Sequence, residues 1–392
     1  MTNSFKVLAL AQNSWHGRWL NRQQLLSRLG IKYPIVYSTG GWFTWDRNST
    51  DWHTASLFGD FALEDNVWID KSPKVLMRYP KVSAYDDVIV RWQARRWTSR
   101  LNALSDAPLV AHVFYPSLFP YLKYIRPQVL VYHAYDLFPK TPGWNSEIAG
   151  YERNLLETAD LVVASSQSIA DGMFSVVNRE IRVLPNGADI PAYEHALTSG
   201  SEEPQDLKNI PHPRIAYMGS LQAKVDFDLI ADLATREPDW HFILIGHVVP
   251  VFSPGGPECG SLTRCRKLPN VHVIQAKPHS EIPYYAINMD VNLMCYRLDD
   301  TTWVKSIYPL KLHEYLAAGK PVVSSDLASV SPFASVVRIA GDLEDWHKAI
   351  SEALTTGGTG SSDTRQAVAR ENSWNARVKQ LENWLLEKLQ RC

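Results

Sequence analysis

Short apolar runs rich in β-branched residues alternate along this chain with stretches whose apolar positions recur every three or four residues, the pattern of buried strands feeding helices. In the first half, residues 7–11, 33–38, 109–114, 129–132 and 161–164 are predicted as strands, with helices over 18–29, closed by Gly30, and 86–104. Trp42, Trp45 and Trp52 stand among polar residues, and that segment is predicted to be irregular. The alternation resumes with strands at 215–218, 242–245, 271–275, 291–295, 322–324 and 336–339. Repeated strand-helix alternation predicts parallel, doubly wound sheets, so the chain reads as α/β with two Rossmann-like units. The polar stretch 199–213 reads as a linker and puts the boundary near Pro204.

The most informative run is Tyr308-Pro309-Leu310-Lys311-Leu312-His313-Glu314-Tyr315-Leu316-Ala317-Ala318-Gly319-Lys320-Pro321-Val322-Val323-Ser324. Pro309 is placed as a first helical residue, Gly319 stops the helix, and Pro321 to Ser324 open a buried strand. Lys311 and Glu314, three apart, share one helix face. An ammonium beside unpaired backbone N–H groups suits a diphosphate, and a carboxylate one turn later can accept both hydroxyls of a ribose. The plainer alternative is a solvated ion pair. Gly219 and Ser220 follow the first strand of the second half, where a missing side chain lets backbone N–H groups approach a phosphate. In the first half Asp136 follows a predicted buried strand, so its carboxylate can take a proton from an acceptor hydroxyl; a turn carboxylate before Pro139 is the structural alternative. His112 and His133, at strand ends, read first as hydrogen-bonded core groups.

The 308–324 run resembles the donor-binding motif of GT-B glycosyltransferases, especially the retaining group that includes many polysaccharide and lipopolysaccharide enzymes. That motif pairs two glutamates eight positions apart; Glu314 matches the second, while the first falls on Ser306, which leaves the stereochemical outcome open. The resemblance covers nearly the whole chain. It implies two Rossmann-like domains facing across a cleft: an acceptor-binding domain over 1–203, a nucleotide-sugar-binding domain over 204–375, and a C-terminal helix over 376–392 returning to the first. It implies donor-side roles for Lys224, a phosphate-binding lysine in the retaining group, and for Gln275 with Ala276, where the base is gripped through backbone groups. Tyr296, fifteen residues before Lys311, is similar to a donor-site tyrosine of the inverting xanthan glucuronosyltransferase family, which also keeps its base on a loop comparable to that of Asp136. Trp15, His16 and Gly17, after the first strand, fall where such proteins border the acceptor, with aromatic core packing as the alternative for Trp15.

Composition narrows the partners. With 392 residues, 45% hydrophobic, the chain can bury two cores, and a net charge of −1 argues against a nucleic-acid partner. Cys259, Cys265, Cys295 and Cys392 form no CxxC pair or disulfide framework, which suits a reducing cytoplasm and not a zinc site. The apolar start at 5–11 is too short for a signal-peptide core or a membrane span, so neither is expected. Asp299 and Asp300 are adjacent, not spaced as in Asp-x-Asp, and metal-independent chemistry is expected with no cofactor. Arginines from Arg91 to Arg100, with Trp92, Trp97 and the earlier tryptophans, suggest a peripheral anionic-membrane contact; a solvated face with arginine stems over the rings is the alternative. The expected activity is cytoplasmic transfer of a hexosyl or uronosyl group from a nucleotide diphosphate sugar, UDP-linked, to a lipid-linked or saccharide acceptor. Two rival classes are a nucleotide-sugar epimerase of the same fold and a non-catalytic saccharide-binding or scaffold protein, for which Ser306 is the sequence support.

Overall fold

Lys6–Leu10 (β1) is buried at all five positions, as a strand covered on both faces of a parallel sheet must be. In the computed structural model, which describes residues 4–17, 19–141, 143–199, 203–250, 259–298 and 303–391, it pairs in parallel with β2 (Ile35–Ser38) and β5 (Leu109–Val113), Val7 lying opposite Ile35 and Val110. The chain divides into two units, Met1–Pro185 with Arg377–Cys392, and Asn186–Ala376.

The first unit carries an eight-stranded sheet in the order β3-β4-β2-β1-β5-β6-β7-β8, with β3 (Asp60–Glu64), β4 (Val67–Lys71), β6 (Val129–Ala134), β7 (Leu161–Ala164) and β8 (Arg182–Val183). All neighbours are parallel except β3 and β4, an antiparallel hairpin turned at Asp65 and Asn66, whose φ values are 48° and 66°. The hydrophobic pattern predicted neither of those strands. Trp97, on the helix Ser83–Leu104, is fully buried and donates its indole N–H to Asp70 on β4 at 2.6 Å. Asp70 also pairs with Arg96 and accepts from Ser38 and Ser72. The helix Trp374–Gln390 buries Leu381 and Leu385 and is tied to the first unit by Tyr33 Oη donating to Glu382 at 2.7 Å and by Arg182 paired with Glu387 at 2.9 Å.

The second unit holds six parallel strands in the order β11-β10-β9-β12-β13-β14: β9 (Arg214–Met218), β10 (His241–Ile245), β11 (Val271–Ile274), β12 (Val291–Met294), β13 (Val322–Ser324) and β14 (Arg338–Ile339). Its division from the first unit falls at Pro185, not in the polar stretch 199–213. The described part of that stretch is packed: Leu207 and Ile210 are buried, their carbonyls accept from the Arg214 guanidinium, and Asp206 pairs with Lys277. Tyr193 and Ala196, on the preceding helix Ile190–Thr198, belong to the second core. Leu207 and Ile210 are two apolar side chains among charges, too few to change a composition-based reading but enough to anchor the segment. Asp299 and Asp300 lie outside the described residues. Among the described residues no helix is long and apolar enough to cross a membrane.

Candidate functional site

In the second sheet the strand order reverses between β9 and β12, and side chains beyond the carboxyl ends of strands at such a reversal line a ligand crevice. Gly219 follows β9 at φ +145°, a backbone state that favours glycine. Gly246 follows β10, and a Cβ there would come within 1.8 Å of the Gly219 carbonyl oxygen, so the two turns approach as closely as they do because Gly246 lacks a side chain.

Against this floor lies Lys311, the first residue of the helix Lys311–Ala317. The helix starts two residues after Pro309, not at it; Pro309 instead lends its carbonyl to the Leu312 N–H. Lys311 is only 9% exposed, and a Cβ on Gly219 would lie 3.0 Å from its Nζ. The ammonium donates to Tyr296 Oη at 3.1 Å and sits 3.8 Å from the centre of the Tyr217 ring. Burial holds its pKa well below the ordinary lysine range; Lys224 pushes the same way, against Cys295 and Glu314. Tyr296 is itself fixed, its N–H donating to Ser325 Oγ at 2.8 Å, and burial raises the phenol pKa of both Tyr217 and Tyr296. Lys224 Nζ stands 5.9 Å from the Tyr296 ring centre. Glu314, one turn along the helix, meets His279 Nε2 at 3.4 Å. A cation whose charge the protein environment disfavours, backed by a second lysine and glycine-lined backbone, is arranged to receive an anion.

Gly219, Lys224, Tyr296, Lys311 and Glu314 are thus gathered in one place, and Ser220 borders them through its carbonyl, which accepts from Tyr217 Oη at 3.4 Å. Gln275 and Ala276 are exposed beyond β11, two strands from β9. Ser306 ends a short 3-10 turn, Trp303–Ser306. Sequence reasoning missed Tyr217, which looks like one more apolar position of a buried strand, and His279, which is brought to Glu314 across 35 residues by tertiary folding alone.

In the first unit Asp136 is half-buried two residues beyond β6, and its charge reaches the Tyr135 phenol, whose pKa burial raises, Arg22 lowers and Asp136 raises. His112 and His133 are buried and share a hydrogen bond, Nε2 to Nδ1 at 3.2 Å. Burial lowers both pKa values, with Arg22 helping to bring His133 down to about 3. Trp15 is turned inward: it is 3% exposed, edge-on to Tyr37, and donates to Asp65 at 3.1 Å. His16 is exposed beside Glu64, and Gly17, at φ +102°, has open space around it. Of the arginines read as a surface patch, Arg96 is committed to Asp70 and Arg100 stacks 3.8 Å from the Trp68 ring centre, while Arg91, Trp92 and Arg95 face outward.

Comparison with known proteins agrees with the resemblance seen in the sequence. Residues 53–191 match the family described as Glycosyltransferase Family 4. A curated relative from Bacillus subtilis (strain 168), provisionally named the teichuronic acid biosynthesis glycosyltransferase TuaH, is 28% identical over 246 residues, 60% of this chain and 58% of the relative. The match thus spans little more than half the length of that relative. Among solved structures, Anabaena HepE in complex with UDP-glucose superposes with a TM-score of 0.68 at 16% identity, covering 97% of this chain and 99% of that one. A glycosyltransferase from Rickettsia africae gives 0.70 at 12% identity over 100% of both chains. Sucrose-phosphate synthase from Thermosynechococcus elongatus gives 0.67 at 14% identity, covering 99% and 100%. The fold is GT-B, as the 308–324 run implied.

Proposed function

We propose that this chain is a glycosyltransferase that takes a sugar from a UDP-linked donor and passes it to a saccharide or lipid-linked acceptor in polysaccharide biosynthesis. The observation that carries the reading is Lys311, buried between Tyr217 and Tyr296 under the Gly219 turn with Glu314 one helical turn away. The leaving diphosphate gathers negative charge as the glycosidic bond breaks, and Lys311, with Lys224 behind it, supplies the fixed positive charge that lowers that barrier without a metal. Glu314 serves the ribose hydroxyls, and Asp136 takes the proton of the acceptor hydroxyl. The UDP and UDP-glucose complexes of HepE support the donor class, and the assignment of TuaH supports a polysaccharide product.

A ligand panel tests the reading. Bound only to the folded state, a ligand at 100 times its Kd stabilises by about 2.7 kcal/mol. UDP and a UDP-sugar are expected to raise the melting temperature with or without EDTA, while GDP and ADP leave it unchanged. No response to any of the nucleotides would remove the donor site. Product analysis with and without a saccharide acceptor separates transfer from epimerisation, since only an epimerase turns over alone.

The lipid-linked acceptor carries its own prediction. Arg91, Trp92 and Arg95 on the outer face of Ser83–Leu104 give weak, salt-sensitive attachment to anionic vesicles, on the order of 1 kcal/mol per arginine. Cosedimentation should fall with Arg95→Glu and vanish at high salt; equal partitioning onto neutral and anionic vesicles would reject the contact. Arg96 is unsuited as a control, because its loss strips Asp70 of its ion pair.

A further inference from the structure

The first sheet also reverses its strand order, between β1 and β5, and near that reversal lies a buried cation that forms no ion pair among the described residues. Arg22 lies in the first turn of the helix Asn21–Leu29 and is 1% exposed. Its Nη2 donates to Asn13 Oδ1 at 2.6 Å, and its guanidinium stands 4.5 Å from the Tyr135 ring centre. Nε and Nη1 make no hydrogen bond of good geometry, although the Tyr37 and Tyr135 phenol oxygens approach the guanidinium closely enough to act as loose acceptors; burial raises both phenol pKa values and the guanidinium lowers them. Among the described residues no carboxylate forms an ion pair with Arg22. Beside it, His133 spends Nδ1 on His112 and leaves Nε2 without a partner.

Three features work against this arrangement in the unliganded unit. A guanidinium out of water with one well-formed hydrogen bond and only loose phenol contacts besides is costly, a cation sits badly at the positive end of a helix, and a neighbouring orphan ring nitrogen adds to the deficit. Each is reversed by an anion. The position of Asn13 says how one would enter: Nη2 is common to both two-pronged edges of a guanidinium, and a single amide oxygen on the exposed loop after β1 now occupies it. Exchanging that oxygen for a group with two oxygens turns one hydrogen bond into a bidentate pair using Nε or Nη1.

We propose that Arg22, with His133 beside it, forms a subsite in the first unit for an anionic group of the acceptor, a sugar carboxylate or a sugar phosphate. The proposal rests on the reading of the first unit as the acceptor side. It makes Arg22 a specificity-determining residue that selects charged saccharides over neutral ones.

The test uses the purified full chain, with thermal shift and calorimetric titration against glucuronate, glucose 6-phosphate and glucose, and UDP as an independent reference. Glucuronate or glucose 6-phosphate is expected to stabilise the chain where glucose does not; the carboxylate and phosphate arms identify which anion is preferred. Arg22→Gln should weaken that response at least about tenfold, the loss expected for a charge-assisted bidentate contact, and leave UDP binding unchanged. Asn13→Ala keeps Arg22 and removes its place-holder, so it should tighten anion binding severalfold, which protects the test if Arg22→Gln misfolds. Equal responses to glucose and the two anions, or an Asn13→Ala variant that binds anions no better than the native chain, would overturn the subsite. A normal UDP response alongside that failure rejects the subsite and keeps the donor reading; anion binding without a UDP response does the reverse.

Discussion

Replacing Asp136 with asparagine is expected to lower the rate of sugar transfer by about 10²–10⁴-fold while nucleotide affinity stays unchanged. The amide keeps the volume and one acceptor oxygen of the carboxylate, so the loop after β6 and the 3-10 turn Phe138–Lys140 retain their packing. What is lost is the ability to hold the proton of the attacking hydroxyl. Steady-state turnover with a saturating acceptor, set beside a UDP titration of the same preparation, separates the two effects. Turnover close to that of the native chain would return Asp136 to the role of a turn carboxylate ahead of Pro139.

Lys311→Met and Glu314→Ala should each weaken UDP binding by about 1.5–3 kcal/mol, roughly ten- to hundredfold, since each removes a charge-assisted contact. Lys311 adds a pH signature with a definite sign. Its folded pKa lies below the ordinary value of 10.5, so between the two values the folded chain binds fewer protons than the unfolded one and the unliganded protein gains stability as pH rises. Below that window the penalty for the buried ammonium is present in full. A diphosphate favours the ammonium, so binding takes up a proton wherever the free site has lost it, and UDP affinity falls with rising pH above the free-site pKa, by up to about tenfold per unit. Titration calorimetry in buffers of different ionisation heat measures that uptake. Lys311→Met should abolish both the uptake and the slope; unchanged UDP affinity in both variants would dismiss the donor-site assignment.

The helix and strand proposed to hold the donor were legible because their signals are local. A lysine and a glutamate three apart at a helix start, running into a β-branched strand, need no tertiary information, and the helix Lys311–Ala317 and β13 follow within a residue or two. What escaped depends on distant partners. Asn21, Arg22, Gln23 and Gln24 open a helix as four consecutive polar residues, which any hydrophobicity pattern assigns to solvent, yet all four are buried. The β3–β4 hairpin escaped because its strands mix charged and apolar residues at the rim of a sheet that is otherwise apolar. The Asp65-Asn66 pair between Phe61-Ala62-Leu63-Glu64 and Val67-Trp68-Ile69-Asp70 was the available signal for it. Trp15 shows the opposite error, a residue type suited to stacking on sugars that the first unit uses as core.

The grouping of Arg377–Cys392 with Met1–Pro185 also sets an order of assembly during synthesis. Domains mostly fold as they emerge, amino-terminal ones first. Here the first unit leaves the ribosome without Leu381, Leu385 and the acidic partners of Tyr33 and Arg182, and the whole of Asn186–Ala376 must follow before they arrive. The second unit is therefore the first to have all its pieces, and the nascent first unit waits for the helix Trp374–Gln390 to bring the partners of Tyr33 and Arg182.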